Sequence, residues 1–167
     1  MKTIILPGFS VHNKDWGEDV KSSLDLGQDV IVHNWRHWTK GGGLALKYEL
    51  NKIQEEVGAA KFNILAKSVG TYVAAKLVAV SRAQIGKIIL CGIPSTSDVR
   101  ENIYKQVFAD FTAANIICFQ NENDPLASFE EVKKFMRGIN PRIEVVKKER
   151  SDHQYPYPQD FQDFLKK

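Results

Sequence analysis

Ser68, Asp124 and His153 have the residue types that can turn a hydroxyl into a nucleophile. A serine hydroxyl attacks a carbonyl poorly until a base takes its proton, and a histidine with a pKa of about 6.5 suits that role at neutral pH. An aspartate on the far imidazole nitrogen selects the tautomer and stabilises the imidazolium as it forms. Ser68 lies in "AKSVG", between the apolar run "FNIL" and the helix-like run "TYVAAKLV". Small residues, Ala66 and Gly70, flank it two positions away on each side. The pattern is that of a G-x-S-x-G turn from strand to helix, with alanine in place of the first glycine. Such a turn lifts the serine above a sheet. The next amide, that of Val69, then opens a helix and can donate to a developing oxyanion. A second donor is expected from Phe9 in the loop "PGFS", where Gly8 allows the turn.

These residues need elements that bring them together, and the chain alternates strand and helix signals throughout. "KTIILPG", "DVIVHNW", "KFNILAKS", "KIILCGIP", "ANIICFQNENDP" and "RIEVVKKE" read as six strands. They are apolar runs rather than alternating patterns, as in a sheet covered on both faces. Helix signals follow each one. "LALKYELNKIQEEVG" sets Leu46, Leu50, Ile53 and Val57 on one face and stops at Gly58. "VGTYVAAKLVAVSRAQIG" is apolar nearly all round, and Ser128 stands three residues before Glu131, the spacing of a capping box. The expectation is an α/β domain over 1–167. It is a three-layer α/β/α sandwich around a six-stranded parallel sheet of order 2-1-3-4-5-6.

In such a sheet, ligands bind beyond the carboxyl ends of the strands. Loops converging there carry Gly8, Phe9 and Ser10 after strand one, and "HNWRHW" after strand two. They carry Ser68 after strand three, Ile93 after strand four, Asp124 after strand five and His153 after strand six. Gly8, Ser10, Trp35, Trp38 and Ile93 are therefore the candidate substrate contacts. Trp35 and Trp38 have two readings: an apolar wall for an acyl or aromatic group, or a packing cluster over the sheet edge, the latter preferred. Glu122 is the second choice for the acid, and Asp152 reads as a surface or turn residue.

Composition narrows the function classes. The 167 residues are 43% hydrophobic with a net charge of +3, and no long basic block points to nucleic acid. Cys91 and Cys118 sit in apolar runs, as reduced core thiols do. "MKTIILPGFS" is too short an apolar run for a signal peptide, and no stretch is long enough to span a bilayer. The expected setting is cytoplasmic, with a small molecule as partner and no membrane or nucleic acid; the oligomeric state is left open. His12, His33 and His37 fit no metal spacing, and Gly41–Gly43 lack the partners of a phosphate loop. No metal and no organic cofactor is expected. One glycine after strand one argues against a flavodoxin-like nucleotide binder.

Taken together, "LPG" at 6–8 with Trp16 following, "AKSVG", "DP" at 124–125 and "DHQYP" resemble small α/β-hydrolases. The closest resemblance is to the compact serine hydrolases named after a retinoblastoma-binding protein. It implies a minimal α/β-hydrolase fold without its first two strands, Ser68 as nucleophile, Asp124 as acid and His153 as base. Two positions depart from that family: Ala66-Lys67 stand where glycine-histidine is usual, and Asp152 where glycine often precedes the histidine. Residues at about 95–114 leave room for only a minimal cap. The chemistry to expect is hydrolysis of a small ester, thioester or amide through an acyl-enzyme, esters first. The alternative is a binding or regulatory protein that keeps the fold without useful catalysis.

Overall fold

The computed structural model describes residues 1–167. Its strands are β1 (Lys2–Leu6), β2 (Asp29–Val32), β3 (Phe62–Lys67), β4 (Ile85–Cys91), β5 (Ile116–Asn121) and β6 (Glu144–Lys148). Every neighbouring pair runs parallel, in the order β2-β1-β3-β4-β5-β6. The helices are α1 (Asn13–Ser23), α2 (His37–Lys40), α3 (Leu46–Val57), α4 (Val69–Ser81), α5 (Asp98–Phe108), α6 (Phe129–Ile139) and α7 (Pro158–Lys166).

The strand runs are apolar because each alternate residue meets a different helical layer. Leu6, Ile64, Ala66, Leu90 and Cys118 face one core with Ile53 of α3, Leu77 of α4, Tyr104 of α5 and Met136 of α6. Ile5, Leu65, Ile89, Cys91 and Phe119 face the other, with Val20 of α1 and Phe161 of α7. Helix α4 buries Val73, Ala74, Ala75, Leu77 and Val78, which explains its lack of a polar face. Truncating Leu77 to alanine would cost about 2–5 kcal/mol, the usual range for a core leucine.

Local chemistry fixes the ends. Ser128 and Glu131 form the capping box of α6: Ser128 Oγ accepts from the Glu131 amide, and Glu131 Oε2 accepts from the Ser128 amide at 2.7 Å. Beyond α6, the buried Asn140 donates to the carbonyls of Phe108 and Ala109 and so secures the end of α5. Residues 33–38, read from the sequence as a loop, contain the start of α2. Gly41, at φ 68, lets the chain leave that single turn after donating to the His37 carbonyl at 3.0 Å.

Candidate functional site

Ser68 follows β3 and caps α4 with φ 55 and ψ −119, the only non-glycine residue with positive φ. An L-residue held in such a sparsely populated region costs on the order of 1–3 kcal/mol, so the surrounding structure must impose it. It does. The Ser68 amide donates to the Cys91 carbonyl at 3.0 Å, and the Thr71 amide and hydroxyl both donate back to the Ser68 carbonyl. Gly70 sits so close to β1 that a Cβ there would lie 2.1 Å from the Leu6 carbonyl oxygen. Glycine is therefore required at 70. Ala66, by contrast, points into the core and is fully buried, so the pattern tolerates alanine on that side.

Asp124 lies in the loop after β5 and is 4% exposed. Its Oδ2 accepts from His153 Nδ1 at 2.6 Å and from the Tyr155 hydroxyl at 2.6 Å, while Oδ1 accepts from the Leu126 amide at 2.9 Å. Burial works to raise the carboxyl's pKa. The hydrogen bonds from His153, Tyr155 and the Leu126 amide outweigh it and hold the group below the usual aspartate value. Nδ1 is thus committed to the carboxylate. Nε2 is buried and has no hydrogen-bond partner, so it is not hydrogen-bonded to the Ser68 hydroxyl. Catalytic links are often open before substrate enters.

A short path of contacts still joins the serine to the imidazole. The carbonyl that receives the Ser68 amide belongs to Cys91, and the next residue is Gly92. At φ 63, a Cβ on Gly92 would lie 2.5 Å from Tyr155 Cε2 and 3.0 Å from His153 Cε1. Both rings therefore press on the turn that closes β4.

The segment 152–157 is clamped from below by Asn121, whose Nδ2 donates to the carbonyls of Asp152 and Gln154. Asn121 Oδ1 accepts from the Tyr157 hydroxyl at 2.6 Å, and its amide donates to Tyr155 Oη. Asp152 itself pairs with Arg150. Glu122, the second choice for the acid, binds Lys147 at 2.9 Å on an exposed face and has no contact with His153.

On the β1 side, Phe9 is 47% exposed and stacks on His37 with centroids 4.2 Å apart. Its carbonyl accepts from His37 Nε2 at 2.7 Å and Trp38 Nε1 at 2.8 Å. Trp35 Nε1 reaches the carbonyls of Pro7 and Gly8, both at 3.2 Å. The peptide joining Gly8 to Phe9 is trans, so the Phe9 N–H points away from the segment holding the Gly8 carbonyl. That amide donates to no protein acceptor. Val69, the first residue of α4, carries one of the amides that a helix leaves without an intrahelical partner.

The substrate contact expected of Ile93 is corrected, and of the two readings of Trp35 the preferred one, packing, holds while the substrate contact falls. Trp35 is 1% exposed and packs edge-on against His33 beneath the loop, so it supports the β1 loop rather than lining a cleft. Ile93 is fully buried because Gly92 turns it into the core, where its amide donates to Gln120 Oε1. Gly8 is buried backbone, Ser10 is exposed, and Trp38 is half-buried beside Phe9. The histidines disperse: His33 is fully buried between Glu49 and Glu56, His37 supports Phe9, and His12 precedes α1. Tyr155 and Asn121 were not identified from sequence. The only sequence signal for them was their place in "DHQYP" and "NEND", beside residues already singled out.

No family model matches the chain, and no curated protein matches it. Solved structures do. An α/β serine hydrolase homologue from Coxiella burnetii is 18% identical with a TM-score of 0.73, covering 99% of this chain and 83% of that one. An α/β serine hydrolase without a lid, from Xanthomonas campestris, is 17% identical with a TM-score of 0.68, covering 98% and 78%. A YdeN-like hydrolase from Pectobacterium atrosepticum is 16% identical with a TM-score of 0.71, covering 98% and 90%. With the sheet order and the turn at Ser68, these likenesses establish that the chain has the α/β-hydrolase fold.

Proposed function

We propose that the protein is a serine hydrolase that cleaves small carboxylic esters through an acyl-enzyme on Ser68. One observation carries the reading: His153 commits Nδ1 to the buried Asp124 carboxylate and keeps Nε2 free, on the same sheet edge as a serine held at φ 55. His153 takes the Ser68 proton as the hydroxyl attacks the carbonyl. The Phe9 and Val69 amides receive the oxyanion. His153 then gives the proton to the leaving alcohol, and water repeats the sequence to free the acid.

The segment at about 95–114, expected from sequence to be a minimal cap, forms α5, which packs into the helical layer beside α4 and α6 through Tyr104, Val107 and Phe108, and the reading favours small or exposed acyl groups. Membership of the compact hydrolases named after a retinoblastoma-binding protein is part of this proposal and rests on the motifs "LPG", "AKSVG", "DP" and "DHQYP". A second reading, an α/β-hydrolase-fold binding protein without useful catalysis, draws on the open Ser68–His153 link.

A fluorophosphonate probe separates the two, with the adduct mapped by mass spectrometry in the wild type and in Ser68→Ala. Labelling at Ser68 that vanishes in the variant supports the hydrolase; a folded protein that takes no label supports the binding protein. Ester turnover should fall on the order of 10⁶-fold in Ser68→Ala, the scale seen when the nucleophile of a triad is removed.

A further inference from the structure

Lys67, immediately before the serine, is 2% exposed yet has no carboxylate partner. The alternation of β3 explains where it goes. Leu65 and Lys67 share the face covered by α1 and α7, so the lysine runs beneath the site instead of outward. Its Nζ donates to Asn13 Oδ1 at 2.6 Å and to Gln154 Oε1 at 3.4 Å, and lies 5.2 Å from the centre of the Trp16 ring.

Each acceptor belongs to a different loop of the site. Asn13 opens α1, donates to the Ser10 carbonyl at 3.1 Å, and would collide with any Cβ at Gly8, so it braces the turn presenting the Phe9 amide. Gln154 follows His153. Trp16, beneath the ammonium, donates to the Tyr155 carbonyl at 3.0 Å. Burying an ammonium against neutral acceptors is costly, and an apolar side chain of similar length would fill the space more cheaply. A group kept at that cost calls for a role beyond packing.

We propose that Lys67 is a positioning residue whose ammonium ties the nucleophile turn, the oxyanion loop and the base loop into one register. The inference rests on the serine-hydrolase reading. Burial pushes the lysine's pKa down from its ordinary 10.5. The groups facing it hold their charge as pH rises past neutral. Asp124 and Asp152 lie below the usual aspartate range and stay ionised, Cys91 is pushed up by burial and stays neutral, and Asn13, Trp16 and Gln154 do not titrate.

The test measures the rate of fluorophosphonate labelling at Ser68 against pH, with unfolding midpoints, in the wild type, Lys67→Met and Asn13→Ala. The expected result is that Lys67→Met slows labelling about 10- to 100-fold, the effect of a small misplacement of reacting groups, while its midpoint is unchanged or higher. The wild type should also lose rate in a step below the ordinary lysine range, and Lys67→Met should show no such step. Asn13→Ala leaves the lysine in place and removes its nearest acceptor; it should slow labelling about tenfold even if Lys67→Met does not fold. Wild-type rates in the variants, or a loss of rate that tracks a loss of stability, overturn the proposal while the hydrolase reading stands. A wild type that takes no label overturns both.

Discussion

The Tyr155 hydroxyl and His153 Nδ1 share one acceptor, Asp124 Oδ2, at the same 2.6 Å. The tyrosine is fully buried, and its hydroxyl also accepts from the Asn121 amide at 3.2 Å. Tyr155→Phe keeps the ring packing but strips the carboxylate of a donor and leaves the amide unsatisfied. Stability should fall by about 1–3 kcal/mol and the Ser68 labelling rate by about tenfold. Chemical denaturation and probe kinetics on the one variant check both numbers.

Asp124 makes acid stability readable. Its folded pKa is depressed, so its contribution is fully present above the unfolded value, near the ordinary 3.8, and is lost as pH falls through the folded value. Asp124→Asn should therefore flatten the decline of the urea midpoint as pH falls below the ordinary aspartate value of 3.8. Turnover at neutral pH should drop about 10⁴-fold, because an amide cannot hold the same imidazole tautomer. A midpoint that declines in the variant as steeply as in the wild type would rule this account out.

Ser68 stores backbone strain. With the hydroxyl gone in both cases, Ser68→Gly should be more stable than Ser68→Ala by about 1 kcal/mol, since glycine adopts positive φ at little cost. Parallel thermal melts decide it; equal midpoints would mean that the turn is unstrained.

Gly70 and Gly92 should separate stability from function. Gly70→Ala drives a Cβ to 2.1 Å from a backbone oxygen that cannot move aside, so expression as a folded protein should fail or stability drop by more than about 3 kcal/mol. Gly92→Ala meets side chains instead, the rings of Tyr155 and His153. It should displace the imidazole and reduce labelling at least as much as Tyr155→Phe does. Circular dichroism distinguishes the first outcome, and probe labelling the second.

Strand order and the helix layers were legible because they are local patterns repeated along the chain: apolar runs for buried strands, Ser128 and Glu131 for a cap. The positions of Ser68, Asp124 and His153 after β3, β5 and β6 follow from that same pattern. What could not be read was set by turns and by contacts through space. Ile93 was assigned to the cleft because it follows a strand; the positive φ of Gly92 sends it inward. Trp35 kept two readings, with packing preferred, because its burial depends on how His33 sits between the α3 carboxylates Glu49 and Glu56. Lys67, Asn13 and Gln154 are far apart in sequence, and no spacing rule joins them.

The three tryptophans of the chain have a property in common. Trp16 donates its indole N–H to the Tyr155 carbonyl, Trp35 to those of Pro7 and Gly8, and Trp38 to that of Phe9. Every indole is thus wired to the main chain of a loop flanking Ser68. Indole emission, excited at the red edge where the five tyrosines do not absorb, consequently carries no contribution from an indole elsewhere in the molecule. That emission is an optical gauge of these loops, read with no dye attached.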